Sequence, residues 1–279
     1  MSPPASCRPQ LSNASRPLTV EIPAINEHGE VVPTAIAGEH PLTLYVDRRE
    51  IVTLMTLGAA PEALTIGWLR NQRLVRELGE IVSVQVDWEV NAVAVTTRDG
   101  LRDAETRLES RTVTTGCGQG TVFGDLMEEI DDIRLPAGRR LTRSALYALM
   151  AAVRQHESIY KQAGAVHGCA LAQAGERSCE ILMFVEDVGR HNAVDAIAGQ
   201  MWLDGLDGSD KVFYTTGRLT SEMVIKTAQM GIPVLVSRSG LTQMGWEIAQ
   251  RVGLTMIGRA QGKHYLLFAG NEGFERDDD

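Results

Sequence analysis

From position 167 to position 261 the chain switches hydrophobic period again and again, and that alternation constrains the fold more than any other feature. CALAQAG and CEILMFVED read as strands around a turn at Gly175, and KVFYTTG as a third strand. Then come the helix TSEMVIKTAQMG, the strand PVLVSRS, the helix TQMGWEIAQRVG and the strand LTMIGRA. Strands that alternate with helices in this way bury a sheet between helical layers. A further helix is expected to begin at Asn192, because Asn192 and Asp195 have the spacing of a capping pair. Three successive strands end in Gly, Ser or Arg just before a helix. In open α/β sheets, ligands sit at those carboxyl ends.

The first half reads differently. PLTLYVD at 41–47 and IVTLMTL at 51–57 form a hairpin around Arg48-Arg49, and Ile81–Trp88 with Ala92–Thr97 form another around Asn91. His28-Gly29 is a turn, and Pro61 opens a helix with Leu64 and Trp68 on one face. This region is mixed, with β predominating. Residues 114–120, TTGCGQG, are a glycine-rich loop around Cys117, and residues 131–140 read as a linker. Thr142 caps a long helix running to about Ala163, with an apolar stripe at Leu146, Leu149, Met150 and Val153 and an i,i+4 pair Glu157–Lys161. The expected organisation is therefore a disordered tail at 1–17 and an N-terminal mixed α+β domain at 18–140. A C-terminal α/β domain follows at 141–270, then an acidic tail at 271–279.

Composition excludes several classes. A net charge of −9 and a pI near 5.2 argue against nonspecific nucleic-acid binding, which needs a broad basic surface. No apolar run is long enough to cross a membrane, and the first 17 residues have no apolar core of the kind a secretory signal carries. Four scattered cysteines, Cys7, Cys117, Cys169 and Cys179, make no disulfide framework and fit a reducing cytoplasm. Cys169 and Cys179 lie in apolar strand patterns and read as inert. No CxxC or zinc-deaminase spacing occurs, so no metal site is expected. GxGxxG and GxxxxGK[ST] are absent as well, which disfavours ordinary dinucleotide and P-loop binding.

The remaining chemistry concentrates in a few turns. Cys117, freed by flanking glycines, is a nucleophile candidate able to hold sulfane sulfur as a persulfide. Glu186, Asp187, Arg190 and His191 crowd one strand end. Arg190 is a fork donor for phosphate, and His191 is suited to a base contact or a proton shuttle. The next strand end carries Thr216, Gly217 and Arg218, with Ser221 and Glu222 opening a helix whose N–H groups favour an anion. Ser237-Arg238-Ser239 repeats the theme. Three such turns, each with an arginine, point to a polyanionic ligand. RAQGKHY at 259–265 adds Arg259, Lys263 and His264 around Gly262, as a surface hairpin or as a further positive edge of the site.

EDVGRHNAVD, TTGRLTSEMV and GIPVLVSRS together resemble the formate dehydrogenase accessory sulfurtransferases, the FdhD family. GEHPLTLYVD at 38–47, the segment 56–75 and the Cys loop at 114–120 agree with that resemblance. It spans about residues 36–268. It implies a C-terminal three-layer α/β domain similar to the cytidine deaminase-like fold, without zinc. It also implies a homodimer that takes sulfur from a cysteine desulfurase as a cysteine persulfide. That sulfur goes to the bis-molybdopterin guanine dinucleotide (bis-MGD) form of the molybdenum cofactor before insertion into the catalytic subunit of formate dehydrogenase, with GDP as a mimic of the cofactor's nucleotide ends. The persulfide position falls on Cys117, and a cofactor-binding segment falls on Arg259, Ala260, Gln261, Gly262, Lys263 and His264. Arg190, His191, Asn192, Gly217, Arg218, Ser221, Ser237 and Arg238 complete the expected cofactor-binding set.

Two positions depart from the family pattern. Many members carry CxxC in the loop, whereas here Gly120 replaces the second cysteine, and Arg259 stands where an aromatic is usual. A lone thiol holds a persulfide but has no neighbour with which to resolve it as an internal disulfide. Two readings follow: a sulfur carrier acting through Cys117 alone, or a chaperone that binds the cofactor without moving sulfur.

Overall fold

A computed structural model of the chain describes residues 8–101, 133–135, 140–156 and 158–277, together with Ile130 and the short strands at 112–113 and 120–121. Cys117, most of the 131–140 linker and Glu157 lie outside the described residues.

The first half is built on a five-stranded sheet. Its strands are β1 (Gln10–Leu11), β4 (His40–Val46), β5 (Arg49–Thr56), β6 (Ile81–Asp87) and β7 (Ala92–Thr97), in the order β1-β6-β7-β4-β5. A separate hairpin pairs β2 (Thr19–Ile25) with β3 (Val31–Ala37). Its turn is closed by the Asn26 side chain, which accepts from His28 N and Glu30 N. Both sheet hairpins read from the sequence are present, β4 with β5 and β6 with β7. Leu42, Leu44, Val84, Val93 and Val95 bury one face of this sheet against α1 (Pro61–Asn71). The chain from Gln10 is part of the fold rather than a disordered tail: β1 pairs with β6, and Ser12 donates to Glu62 at 2.6 Å. Two short strands, β8 (Thr112–Val113) and β9 (Gly120–Thr121), pair antiparallel.

The second half is a six-stranded mixed sheet of β11 (His167–Ala174), β12 (Cys179–Asp187), β13 (Lys211–Thr215), β14 (Val234–Ser237), β15 (Thr255–Gln261) and β16 (His264–Ala269). Its order is β12-β11-β13-β14-β15-β16, with β13, β14 and β15 mutually parallel. The period of two along β11 divides the core. Cys169 and Leu171 face a layer containing α4 (Arg190–Asp204), α5 (Ser221–Gln229) and α6 (Gln243–Val252). Ala170 and Ala172 face the opposite layer, formed by α2 (Arg143–Gln155). The result is a helix–sheet–helix sandwich, an α/β architecture with three layers in this half.

Three expectations need correcting. The helix capped by Thr142 stops at Gln155. His156 leaves helical geometry, and a second short helix, α3 (Ile159–Ala163), begins under Ser158. Glu186 from β12 accepts Ile159 N at 2.5 Å and Tyr160 N at 3.3 Å, so a carboxylate from another strand satisfies the new helix start. Helix α4 begins at Arg190, not Asn192: its N-cap is Gly189, which makes no side-chain cap bond, and Asp187 accepts Gly189 N at 3.1 Å just ahead of it. Asn192 and Asp195 are thereby released for buried contacts inside the helix. Finally, the acidic C-terminus is docked, not loose: β17 (Phe274–Glu275) pairs with β10 (Leu141–Thr142), and Asp277 accepts from Ser144 N and Arg143.

The two halves meet at α4. One side of this helix enters the second-half core through Ala193, Val194 and Ile197, and Ala196 and Leu203 enter the first-half core. It is buried over most of its length, with Arg190, His191, Asn192 and Asp195 enclosed among its apolar residues. It crosses α1 at backbone contact. A Cβ on Gly67 would lie 1.7 Å from Asp195 O, and one on Gly199 would lie 1.9 Å from Ala63 O.

Candidate functional site

The parallel run β13-β14-β15 brings its three carboxyl ends side by side. Thr215 is in register with Ser237. Beyond that pair the loops are joined by backbone bonds: Leu219 N donates to Gly240 O, Thr242 N to Leu219 O, and Arg259 N to Ser239 O at 2.9 Å. Hydroxyls hold the turns. Thr215 Oγ1 accepts Gly217 N at 3.0 Å, and Ser237 Oγ donates to Gly217 O at 2.7 Å while accepting Ser239 N. Gly217 is needed here because a Cβ would meet Arg190 Cδ at 2.7 Å. The buried stem of Arg190 therefore lies directly against the turn that carries Arg218.

Around this turn stand Arg218 and Arg238, both exposed, and the Arg238 guanidinium lies 5.4 Å from the centre of the Tyr160 ring. Ser221 is half-buried in the first turn of α5, whose Thr220 cap makes no side-chain bond. The arrangement unites fixed positive charge, a helix N-terminus and backbone donors, which is the chemistry of a phosphate site.

Other expected residues have different surroundings. Asn192 is buried, and its amide donates to Asp187 Oδ1 at 2.8 Å and to Met55 O at 2.6 Å. Asp187 also accepts from Thr56 Oγ1 at 2.5 Å and Leu57 N at 3.2 Å, which ties the first half to the strand end. His191 is buried, with Nε2 3.3 Å from Glu222 Oε2. Burial, then Lys226 and Arg190, push its pKa down to about 2, so the contact is a neutral N–H donating to a carboxylate. Glu222 continues to Lys226 Nζ at 3.4 Å, Lys226 to Asp195 at 2.8 Å, and Asn71 donates to Asp195 at 2.6 Å. This buried chain joins α1, α4 and α5.

The segment 259–264 divides. Arg259 is exposed next to Ser239, in the left-handed region with φ +51°. Ala260 is in the core against α2. Gln261, Gly262, Lys263 and His264 are exposed at the β15–β16 turn, where Lys263 Nζ lies 5.8 Å from the Tyr147 ring on α2.

Two further residues belong to this site that the sequence motifs do not place in it. His167 opens β11 and reaches the same turn: its Nδ1 is 3.4 Å from Thr216 Oγ1, which accepts Gly168 N at 3.0 Å. Burial and then Arg190, Arg238 and Arg218 hold its pKa below the ordinary value. Tyr160 supplies the aromatic face under Arg238. In the sequence His167 stands out only as half of a zinc-like pair, His167-Gly168-Cys169, for which no further Cys pair has ligand spacing. A cleft of about 300 Å³ lies beyond α3, lined by Ala59, His156, Ile159, Phe184 and Glu186 among others. None of the arginine turns lines it.

The thiols behave as their burial dictates. Cys169 donates to Thr215 Oγ1 at 3.4 Å, and burial pushes its pKa up to about 12; that of Cys179 rises to about 11. Neither is a nucleophile. Among the described residues, no group of three or more His, Cys, Asp or Glu is arranged to hold a metal. No helix among the described residues is long and apolar enough to cross a membrane.

Comparison with known proteins matches residues 37–275 to the FdhD/NarQ family model. Curated relatives include a sulfur carrier protein FdhD from Listeria innocua, 29% identical over 86% of this chain and 92% of the relative. Another, from Bacillus subtilis, carries the same name and is 28% identical over 87% and 92%. A crystal structure described as that of a formate dehydrogenase accessory protein from Desulfotalea psychrophila aligns with a TM-score of 0.72 and 24% identity. It covers 92% of this chain and 100% of that one. The family match takes in four of the five strands of the first-half sheet, the helix α4 that joins the halves and all three arginine turns, and on that extent this chain belongs to the FdhD/NarQ family.

Proposed function

We propose that this protein is a sulfur carrier in formate dehydrogenase maturation. In this reading Cys117 accepts sulfane sulfur from a cysteine desulfurase, and the second-half sheet holds bis-MGD, the substrate that receives it. The Cys117 thiolate attacks the outer sulfur of the donor's persulfide. The donor's S–S bond breaks, a new S–S bond forms on Cys117, and the donor leaves as a thiolate, so no net oxidation occurs. The observation that carries the cofactor side is the joined set of strand ends, with Arg190, Arg218 and Arg238 around the Gly217 turn. Phosphates of the guanine dinucleotide ends fit the exposed Arg218 and Arg238 guanidiniums and the first turn of α5, with buried Arg190 behind the turn, and Arg259 extends the positive edge. The names of the relatives support sulfur transport, and the name of the fold neighbour supports the formate dehydrogenase client. The reading includes a cytoplasmic homodimer as the working form.

Gly120 favours one alternative, a chaperone that protects the cofactor and docks on the client without moving sulfur. A single experiment separates the two. The protein is charged with desulfurase and cysteine, weighed, and assayed for client activation beside Cys117→Ala. The carrier reading expects a thiol-sensitive gain of one sulfur atom at Cys117, and loss of activation in the variant with GDP affinity unchanged. Full activation by Cys117→Ala hands the function to the chaperone reading.

A further inference from the structure

We infer that His167 is the proton-linked reader of the phosphate site, and that a nucleoside diphosphate bound at the arginine turns brings a proton onto its imidazole. The inference rests on the proposed binding of phosphate at those turns and adds a regulatory term to it.

The geometry starts from Thr216. Its backbone N–H donates to Gly168 O and its hydroxyl accepts Gly168 N, so the start of β11 and the turn after β13 are locked together. His167 Nδ1 stands 3.4 Å from the same hydroxyl. A hydroxyl rotates to donate to a neutral ring nitrogen or to accept from a protonated one, so this contact accommodates both charge states of the imidazole. Each arginine is anchored to the same turn. Arg190 packs on Gly217, Arg218 follows it, and Arg238 follows Ser237, whose hydroxyl holds Gly217 O.

The charged groups facing His167 from its neighbours are therefore mostly cations. Arg190 comes from α4, Arg218 from the β13 turn and Arg238 from the β14 end. The neighbouring His191 is held neutral. The acids of β12 are otherwise engaged: Asp187, across the ladder from His167, accepts from Thr56, Leu57, Gly189 and Asn192, and Glu186 accepts from the start of α3. With the turns free of anion, burial and three guanidiniums keep the ring neutral. A diphosphate cancels that positive field and places negative charge near the imidazole, which reverses the Coulombic contribution. The sign follows. The bound state holds its proton to higher pH than the free state, so affinity rises as pH falls through the bound-state pKa and is lost as pH rises above it.

The test is calorimetry of GDP binding to the whole protein near pH 6.5, in buffers of different ionisation heat, for wild type and His167→Gln. Protons taken up by GDP itself are common to both proteins. The expected difference is about half a proton more per ligand in wild type, with a wild-type advantage in affinity that shrinks about threefold or more between pH 6 and pH 8. Should the variant fold poorly, an NMR titration of the wild-type ring with and without GDP reads the same quantity, and GDP must raise the midpoint. Equal proton counts, or an unmoved midpoint, with GDP bound overturn this inference and leave the phosphate site standing. If GDP does not bind at all, the site reading fails and takes the inference with it.

Discussion

Burial holds the His191 imidazole neutral in the folded protein, whereas in an unfolded chain the same ring ionises near pH 6.5. Below that pH the unfolded state binds a proton that the folded state refuses, so stability falls as the solution is acidified. Linkage sets the slope at about 1.4 kcal/mol per pH unit once the unfolded ring is charged. Urea denaturation of wild type and His191→Phe between pH 7 and pH 5 should therefore show a steeper loss in wild type; parallel curves would mean that the ring is not held neutral. The residue types at the site were legible as a pattern, since an arginine beside small polar residues at three strand ends announces an anion. What each side chain touches was not. Asn192 and His191 read as ligand contacts by their neighbours in sequence, but α4 starts two residues earlier than their spacing implies and turns both inward. The only pattern around His167, the zinc-like His167-Gly168-Cys169, does not point to this site, which His167 joins because antiparallel pairing of β11 with β13 sets Cys169 opposite Thr215 and so brings the residues that flank them together.

At the scale of elements, the crossing of α1 and α4 decides how the halves sit. Gly67 and Gly199 let the two backbones touch, and the buried chain Asn71–Asp195–Lys226–Glu222–His191 runs from α1 through α4 to α5. A methyl group at position 67 has no room, because the opposing atom is a backbone carbonyl and not a movable side-chain end. Gly67→Ala should destabilise the protein by about 3 kcal/mol or more, the upper end of overpacking, read as a drop in the urea midpoint. A loss below about 1 kcal/mol would mean that the helices can slide apart. The hairpins and α1 were readable because their signals are local: period-two alternation, turn residues and a proline at the helix start. The break between α2 and α3 was not readable, since the i,i+4 spacing of Glu157 and Lys161 reads as a helix continuing through it. A carboxylate on β12, about 30 positions away in sequence, is what satisfies the second helix start.

Across the whole molecule, α4 contributes side chains to both large cores, so neither half can lose its packing without exposing part of the other. Unfolding in urea should be one transition, with circular dichroism and tryptophan fluorescence coincident. The four tryptophans report on separate parts, Trp68 and Trp88 in the first half, Trp202 on α4 and Trp246 on α6. Two separated transitions would show that the halves fold independently. The sequence by itself determined the α/β class of the second half, the β-rich first half, the family and the three arginine turns, because hydrophobic period and short motifs are properties of neighbouring residues. Only the tertiary structure decided which polar groups are spent inside and which remain available to a ligand. That division depends on strand register and helix crossing, which bring residues more than a hundred positions apart to within hydrogen-bond distance, as Thr56 and Asp187 show.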